Sequence, residues 1–160
     1  MPQVSPRAGS DAAAVAELSG ELVRHARLLH VLKARMAVHV PEGIDLGAVP
    51  LLFALYRAGD ARRQGEIADA TMLDRSTTSR YVTQLVKAGL LGRQCDPDDG
   101  RAVQLVLTDR GRQVIEEFVN ARIEMINGVL ADWDPSDVAI LTALMRKLND
   151  EFERLRPGTG

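Results

Sequence analysis

Two apolar stripes at opposite ends of the chain limit what it can fold into. From Asp11 to about His39, the residues Val15, Leu18, Leu22, Leu29, Leu32 and Met36 recur at alternating three- and four-residue steps, with His25 in the missing place. That spacing predicts one long amphipathic helix, ended by Pro41 and Gly43. Val138, Leu141, Met145, Leu148, Phe152 and Leu155 repeat the pattern near the other end. Asp134, Pro135 and Asp137 introduce that second helix as cap, first-position proline and first-turn acid. A single domain of 160 residues can hardly cover both stripes by itself. The expectation is a homodimer, with residues 11–43 and 112–155 as its dimerisation helices and residues 45–111 as a separate lobe.

The interior of the chain changes rhythm several times. Asp45 offers an N-cap to a short apolar helix that runs through Tyr56 and Arg57 and closes at Gly59. Pro50 suits only the first turn of such a helix, so the helix is expected to start after Leu46. Two more helical stretches, Gln64–Ala70 and Arg75–Ala88, are separated by Thr71, Met72, Leu73 and Asp74, and Gly89 ends the second. Leu90–Asp96 and Ala102–Thr108 read as strands joined by Pro97, Asp98, Asp99 and Gly100, with Val103, Leu105 and Leu107 alternating on one face. Thr108 then caps a helix to about Ala131, with Val114, Phe118, Met125 and Val129 on its apolar side. Met1–Ser10 and Pro157–Gly160 read as loose tails. Aromatic residues make up only 4% of the chain, so its core must be aliphatic, which favours helix-on-helix packing. The fold class is therefore mainly α with a small β-hairpin wing.

Gln64–Leu85 has the pattern of a helix-turn-helix. Ile67 faces inward, the small Ala68 lets the helices cross closely, and Leu73 plugs the turn, where Met72 replaces the usual glycine. Thr78, Leu85 and either Tyr81 or Val82 pack inward. Ser76, Thr77, Ser79, Arg80 and Thr83 are left facing out, with Arg75 at the amino end and Asp74 as its cap. Short hydroxyls and an arginine suit the major groove of double-stranded DNA, where arginine pairs bidentately with guanine. The same polar face also suits a plain solvated surface. The hairpin that follows carries a charged tip, Asp96 to Arg101. As a wing it would lay Arg101 in a minor groove, with Asp99 holding the guanidinium; otherwise the two form a weak surface pair.

Charge supports the first reading. The formal net charge is −2, yet Ala61–Arg112 holds nine basic and seven acidic residues, leaving eleven basic and fifteen acidic elsewhere. A basic middle in an acidic chain allows one face to meet DNA.

In order, Glu66-Ile67-Ala68, Asp74 to Arg80, Lys87-Ala88-Gly89-Leu90-Leu91, Asp96 to Arg101 and Leu107-Thr108-Asp109-Arg110-Gly111 resemble the multiple antibiotic resistance regulator (MarR) family, from Asp11 to Leu155. The wing tip with Leu-Thr-x-x-Gly is the specific part. The resemblance implies a winged helix-turn-helix homodimer on a pseudo-palindromic operator, repressing transcription and released by a small, often aromatic ligand. It also carries over the outward residues of the Arg75–Thr83 helix, and Arg101 with Asp99, as DNA contacts. Asp98 departs from the family, where a basic residue is common.

No catalytic constellation, phosphate loop or cofactor motif stands in the sequence, so neither an enzyme nor a bound cofactor is expected. His25, His30 and His39 are spaced by five and nine along one helix, unlike zinc ligands, which favour about four. His25 reads as a partly buried interface residue. Cys95 reads as structural, with a thiol redox sensor as the alternative. A further alternative is a small-molecule- or partner-binding protein of this fold that lost DNA binding. The lone cysteine, the lack of a basic-then-apolar leader and the lack of an apolar run near the roughly 18 residues of a membrane span point to a cytoplasmic protein away from membranes.

Overall fold

A computed structural model describes residues 9–59, 61–97 and 99–155. The expected tails lie largely outside them, as does Asp98 at the wing tip. Among the described residues, six α-helices and three strands follow in the order α1 (Gly9–Met36), α2 (Val49–Ala58), β1 (Arg62–Arg63), α3 (Gln64–Thr71), α4 (Arg75–Lys87), β2 (Leu91–Cys95), β3 (Val103–Leu107), α5 (Asp109–Val129) and α6 (Pro135–Arg154). By compactness the chain divides within α5, into a first unit ending at Val119 and a second beginning at Asn120.

In the first unit, α1 tightens into a 3-10 turn at Ala37–His39. Asp45 then caps a second 3-10 turn, Leu46–Ala48, by accepting the Gly47 N–H at 2.7 Å. Proline has no N–H to give a helix interior, and Pro50 accordingly falls in the first turn of α2. Gly59 ends that helix in the left-handed conformation that glycine adopts without a Cβ clash. Leu51, Leu52, Ile67, Val82, Leu85, Leu90 and Ile115 are all but completely buried. Each contributes roughly 1.5–3 kcal/mol by leaving water. They come from α2, α3, α4, the entry to β2 and α5, so the winged segment has its own core. Thr78 joins them, its hydroxyl donating to the Asp74 carbonyl at 2.9 Å. Tyr81 and Val82 are both buried, where the sequence left a choice between them.

The hairpin gains a third strand. Arg62 and Arg63 pair antiparallel with Leu105 and Gln104 of β3, giving the order β1-β3-β2. Two residues of arginine carry no strand signal, which is why the periodicity missed them. On β3 only Leu105 is fully buried. Val103 lies opposite Cys95 and both are exposed, because the hairpin runs on beyond the core.

The start of α5 explains the Leu-Thr-x-x-Gly pattern. The Thr108 hydroxyl accepts the Gly111 N–H at 3.0 Å and donates to the Gly89 carbonyl at 2.7 Å. A Cβ on Gly111 would sit 2.0 Å from the Leu90 carbonyl oxygen, so only glycine lets the helix reach that backbone. The apolar side of α5 turns about Ile115, which the periodicity passed over; Val114, Phe118 and Met125 are half-buried and Val129 is exposed.

The second unit holds the end of α5 and all of α6. Asp134 precedes α6, but its carboxylate makes no cap; its backbone carbonyl takes the Asp137 and Val138 N–H groups instead. No residue of α6 is buried within the chain. Among the described residues, no helix is long and apolar enough to cross a membrane.

Gly111→Ala should destabilise the protein by about 2–3 kcal/mol, since backbone rather than a pliable side chain opposes the added methyl. Denaturant unfolding reads this directly. Unchanged stability would mean that α5 is not seated on Leu90.

Candidate nucleic-acid interface

Helix α4 follows α3 through a turn that Met72 closes in the left-handed conformation, φ 57°. It is the only described non-glycine residue with positive φ. Such a backbone costs a side-chain-bearing residue roughly 1–2 kcal/mol, which is the local consequence of having methionine where glycine is usual. Leu73 is half-buried beneath the turn.

Asp74 opens α4 and its carboxylate is the cap. It accepts the Ser76 hydroxyl at 2.5 Å and the Thr77 N–H at 2.8 Å. Those bonds, the Ser76 hydroxyl foremost, hold its pKa far below the usual carboxylate range. The cap therefore stays ionised at neutral pH. Beyond it Arg75, Ser76, Ser79, Arg80 and Thr83 are exposed as expected, whereas Thr77 is half-buried. Ser76 is tied to the cap, and the Thr83 hydroxyl donates to the Ser79 carbonyl at 2.9 Å. Their oxygens remain able to accept. Arg80 has no hydrogen-bond or ion-pair partner among the described residues, and its guanidinium carbon lies 4.9 Å from the centre of the Tyr81 ring.

At the wing, the expected Asp99–Arg101 side-chain pair does not form. Asp99 accepts the backbone N–H of Arg101 at 3.2 Å, and its other oxygen lies 3.8 Å from the Arg63 guanidinium. Two residues apart in a tight turn, the carboxylate meets the nearer main-chain donor first. The Arg101 side chain is exposed, without an ion pair among the described residues.

Arg63 is the residue that sequence reasoning missed. Its Nε donates to the buried Asp96 carboxylate at 2.7 Å, fastening the base of the wing to the residue before α3. The pair is 33 positions apart, and no periodicity marks it. A buried carboxylate needs such a partner, because an uncompensated charge there is costly. Also unforeseen is a clamp on the other side of α4. The Gln84 side chain donates to the Gly43 carbonyl at 2.6 Å and accepts the Asp45 N–H at 3.4 Å.

Cys95 is exposed on β2, and its side chain takes no part in the core. His25 is exposed within the single chain. Among the described residues no three His, Cys, Asp or Glu side chains gather as metal ligands would.

Comparison with known proteins places this geometry in a family. A MarR family model matches residues 42–102. The chain is 31% identical over 102 residues to the HTH-type transcriptional regulator YxaD of Bacillus subtilis, covering 64% of this chain and 71% of that protein. A MarR family protein from Bacillus stearothermophilus superposes with a TM-score of 0.78 at 25% identity, over 89% of this chain and 97% of that one. The PcaV transcriptional regulator of Streptomyces coelicolor, solved with its natural ligand, gives 0.64 at 29% identity, over 94% and 98%. With its helix-turn-helix, its charged wing and its Leu-Thr-x-x-Gly junction, this chain belongs to the MarR family of winged helix-turn-helix DNA-binding transcriptional regulators.

Proposed function

We propose that the protein is a homodimeric repressor that binds a pseudo-palindromic operator and is released by a small, often aromatic ligand. The observation that carries the DNA-reading part is Arg80, an exposed arginine on α4 with none of its N–H donors engaged among the described residues. In this reading Arg80 pairs with a base edge in the major groove, and Arg75, Ser76, Thr77, Ser79 and Thr83 contact bases or phosphates around it. Arg101 enters the neighbouring minor groove, and Asp99 shapes the wing tip by holding the Arg101 main chain. Residues 45–111 act as the DNA-binding lobe of one family domain, and residues 11–43 and 112–155 as dimerisation helices. As a regulator of transcription, the protein would work in the cytoplasm and catalyse no reaction.

The dimer is supported by apolar surface that the chain leaves uncovered. Val15 and Leu18 of α1 are 64% and 49% exposed, and Leu144 and Phe152 of α6 are 60% and 53% exposed. Large apolar side chains left exposed in a stripe along a helix mark an interaction surface. Release by a small molecule is supported by PcaV, a relative of the same fold that holds a natural ligand.

Light scattering at micromolar concentration should give about twice 17.5 kDa. A monomer that bound a selected duplex at full affinity would contradict the dimer.

Arg80→Ala and Arg101→Ala should differ in kind. A lost bidentate base contact costs about 1–3 kcal/mol and relaxes specificity at that base pair. A lost minor-groove cation weakens all sequences together and flattens the salt dependence. Arg80→Ala should therefore lower the ratio of operator to random-duplex affinity more than Arg101→Ala does, measured across a salt series. If both variants bind like the wild type, α4 and the wing are not the DNA-binding surface, and a fold-sharing protein without DNA binding becomes the better description.

A further inference from the structure

We propose that Tyr81 is a positioning residue for sequence specificity: its ring holds the Arg80 guanidinium flat, so that the N–H edge of Arg80 is presented to a base. The proposal rests on the reading of α4 as the DNA-reading helix.

Adjacent residues on a helix do not ordinarily face each other, since successive side chains diverge by about 100°. Arg80 nevertheless lies over the Tyr81 ring at 4.9 Å, inside the roughly 6 Å over which a cation is drawn to a ring face. The ring is a fixed platform. Tyr81 is buried, and its hydroxyl donates to an Asp45 carboxylate oxygen at 3.4 Å. Asp45 is itself held by the Gly47 N–H and by Gln84, which also grips the Gly43 carbonyl. The ring end needs Gly47 in particular, because a Cβ there would stand 2.2 Å from the Tyr81 hydroxyl oxygen.

The stack and the base contact use different parts of the same group. A guanidinium is planar: laid parallel to the ring it offers the ring its face, while all five N–H bonds lie in its own plane and are directed past the ring edge rather than into it. None of those donors is satisfied among the described residues. Stacking also confines a long side chain before DNA arrives, which lowers the ordering cost of forming a two-bond pair with guanine. Asp45, Tyr81 and Arg80 thus form a chain of contacts running from the segment after α1 to the exposed face of α4.

The test uses the full-length protein, a duplex that the wild type enriches from a randomised pool, and a random duplex of equal length. Tyr81→Leu should lower the selected-to-random affinity ratio about 2- to 5-fold per recognition helix. In an Arg80→Ala background the same substitution should leave that ratio where Arg80→Ala alone puts it. Tyr81→Phe, which keeps the ring and loses the hydroxyl tether, should give a smaller loss than Tyr81→Leu. Because leucine risks the fold, progressively fluorinated phenylalanines at position 81 give a shape-conserving series, in which the ratio should fall stepwise as fluorine drains the ring face. Equal losses in both Arg80 backgrounds, or a ratio indifferent to fluorination, would overturn the positioning role while leaving α4 as the reading helix. An Arg80→Ala ratio equal to that of the wild type would overturn the reading of α4, and the role of Tyr81 with it.

Discussion

The architecture turns on one backbone junction, where the carbonyls of Ala88, Gly89 and Leu90 meet the first turn of α5. Arg110 donates to Ala88 at 3.1 Å, the Thr108 hydroxyl to Gly89 at 2.7 Å, and the Thr108 N–H to Leu90 at 3.1 Å. Gly111 admits the close approach that brings them together. These three carbonyls mark the end of α4 and the entry to β2, while residues 108–111 mark the exit from β3 and the start of α5. Helix α4, proposed to read DNA, the wing and the helix leading into the second unit are therefore anchored at one point. An unmade hydrogen bond at a buried helix end is costly, so the anchorage is also what makes glycine and threonine necessary there.

Two further ties hold α4 and the wing on this frame. The Arg63–Asp96 pair fastens the wing base to the start of α3, and the Gln84 clamp fastens α4 to the segment that follows α1. Neither uses Arg80 or Arg101. Among the described residues the Arg80 and Arg101 side chains proposed to meet DNA make no ion pair, whereas the groups of these two ties are bonded internally. That division suits a binding surface, since a donor already engaged in the free protein would have to be released before it could reach DNA.

Most of the element order was legible from periodicity, capping residues and turn residues, because those signals are local. Asp45, Asp74, Thr108, Gly59 and Gly89 stand where the sequence put them. The errors arose where the decisive partner is remote or the local competition is close. Arg63 needs Asp96, far along the chain, to reveal its role. Ile115 lies one position from the residue that the apolar stripe favoured. Asp99 meets the main chain of Arg101 instead of its guanidinium, since residue spacing does not tell a main-chain donor from a side-chain donor. Thr77 is half-buried although its spacing puts it with the outward residues. The stack of Arg80 on Tyr81 has no sequence signal, as neighbours on a helix normally diverge.

On the proposed reading, α4 and the wing engage one duplex in the same binding event. Hydrogen exchange of the backbone amides, with and without a duplex enriched by the wild-type protein, tests it most directly. Exchange should slow at residues 75–83 and again at residues 96–102 when DNA is bound, both saturating at the same DNA concentration. Protection confined to one of these segments, or appearing at clearly different DNA concentrations in the two, would contradict it.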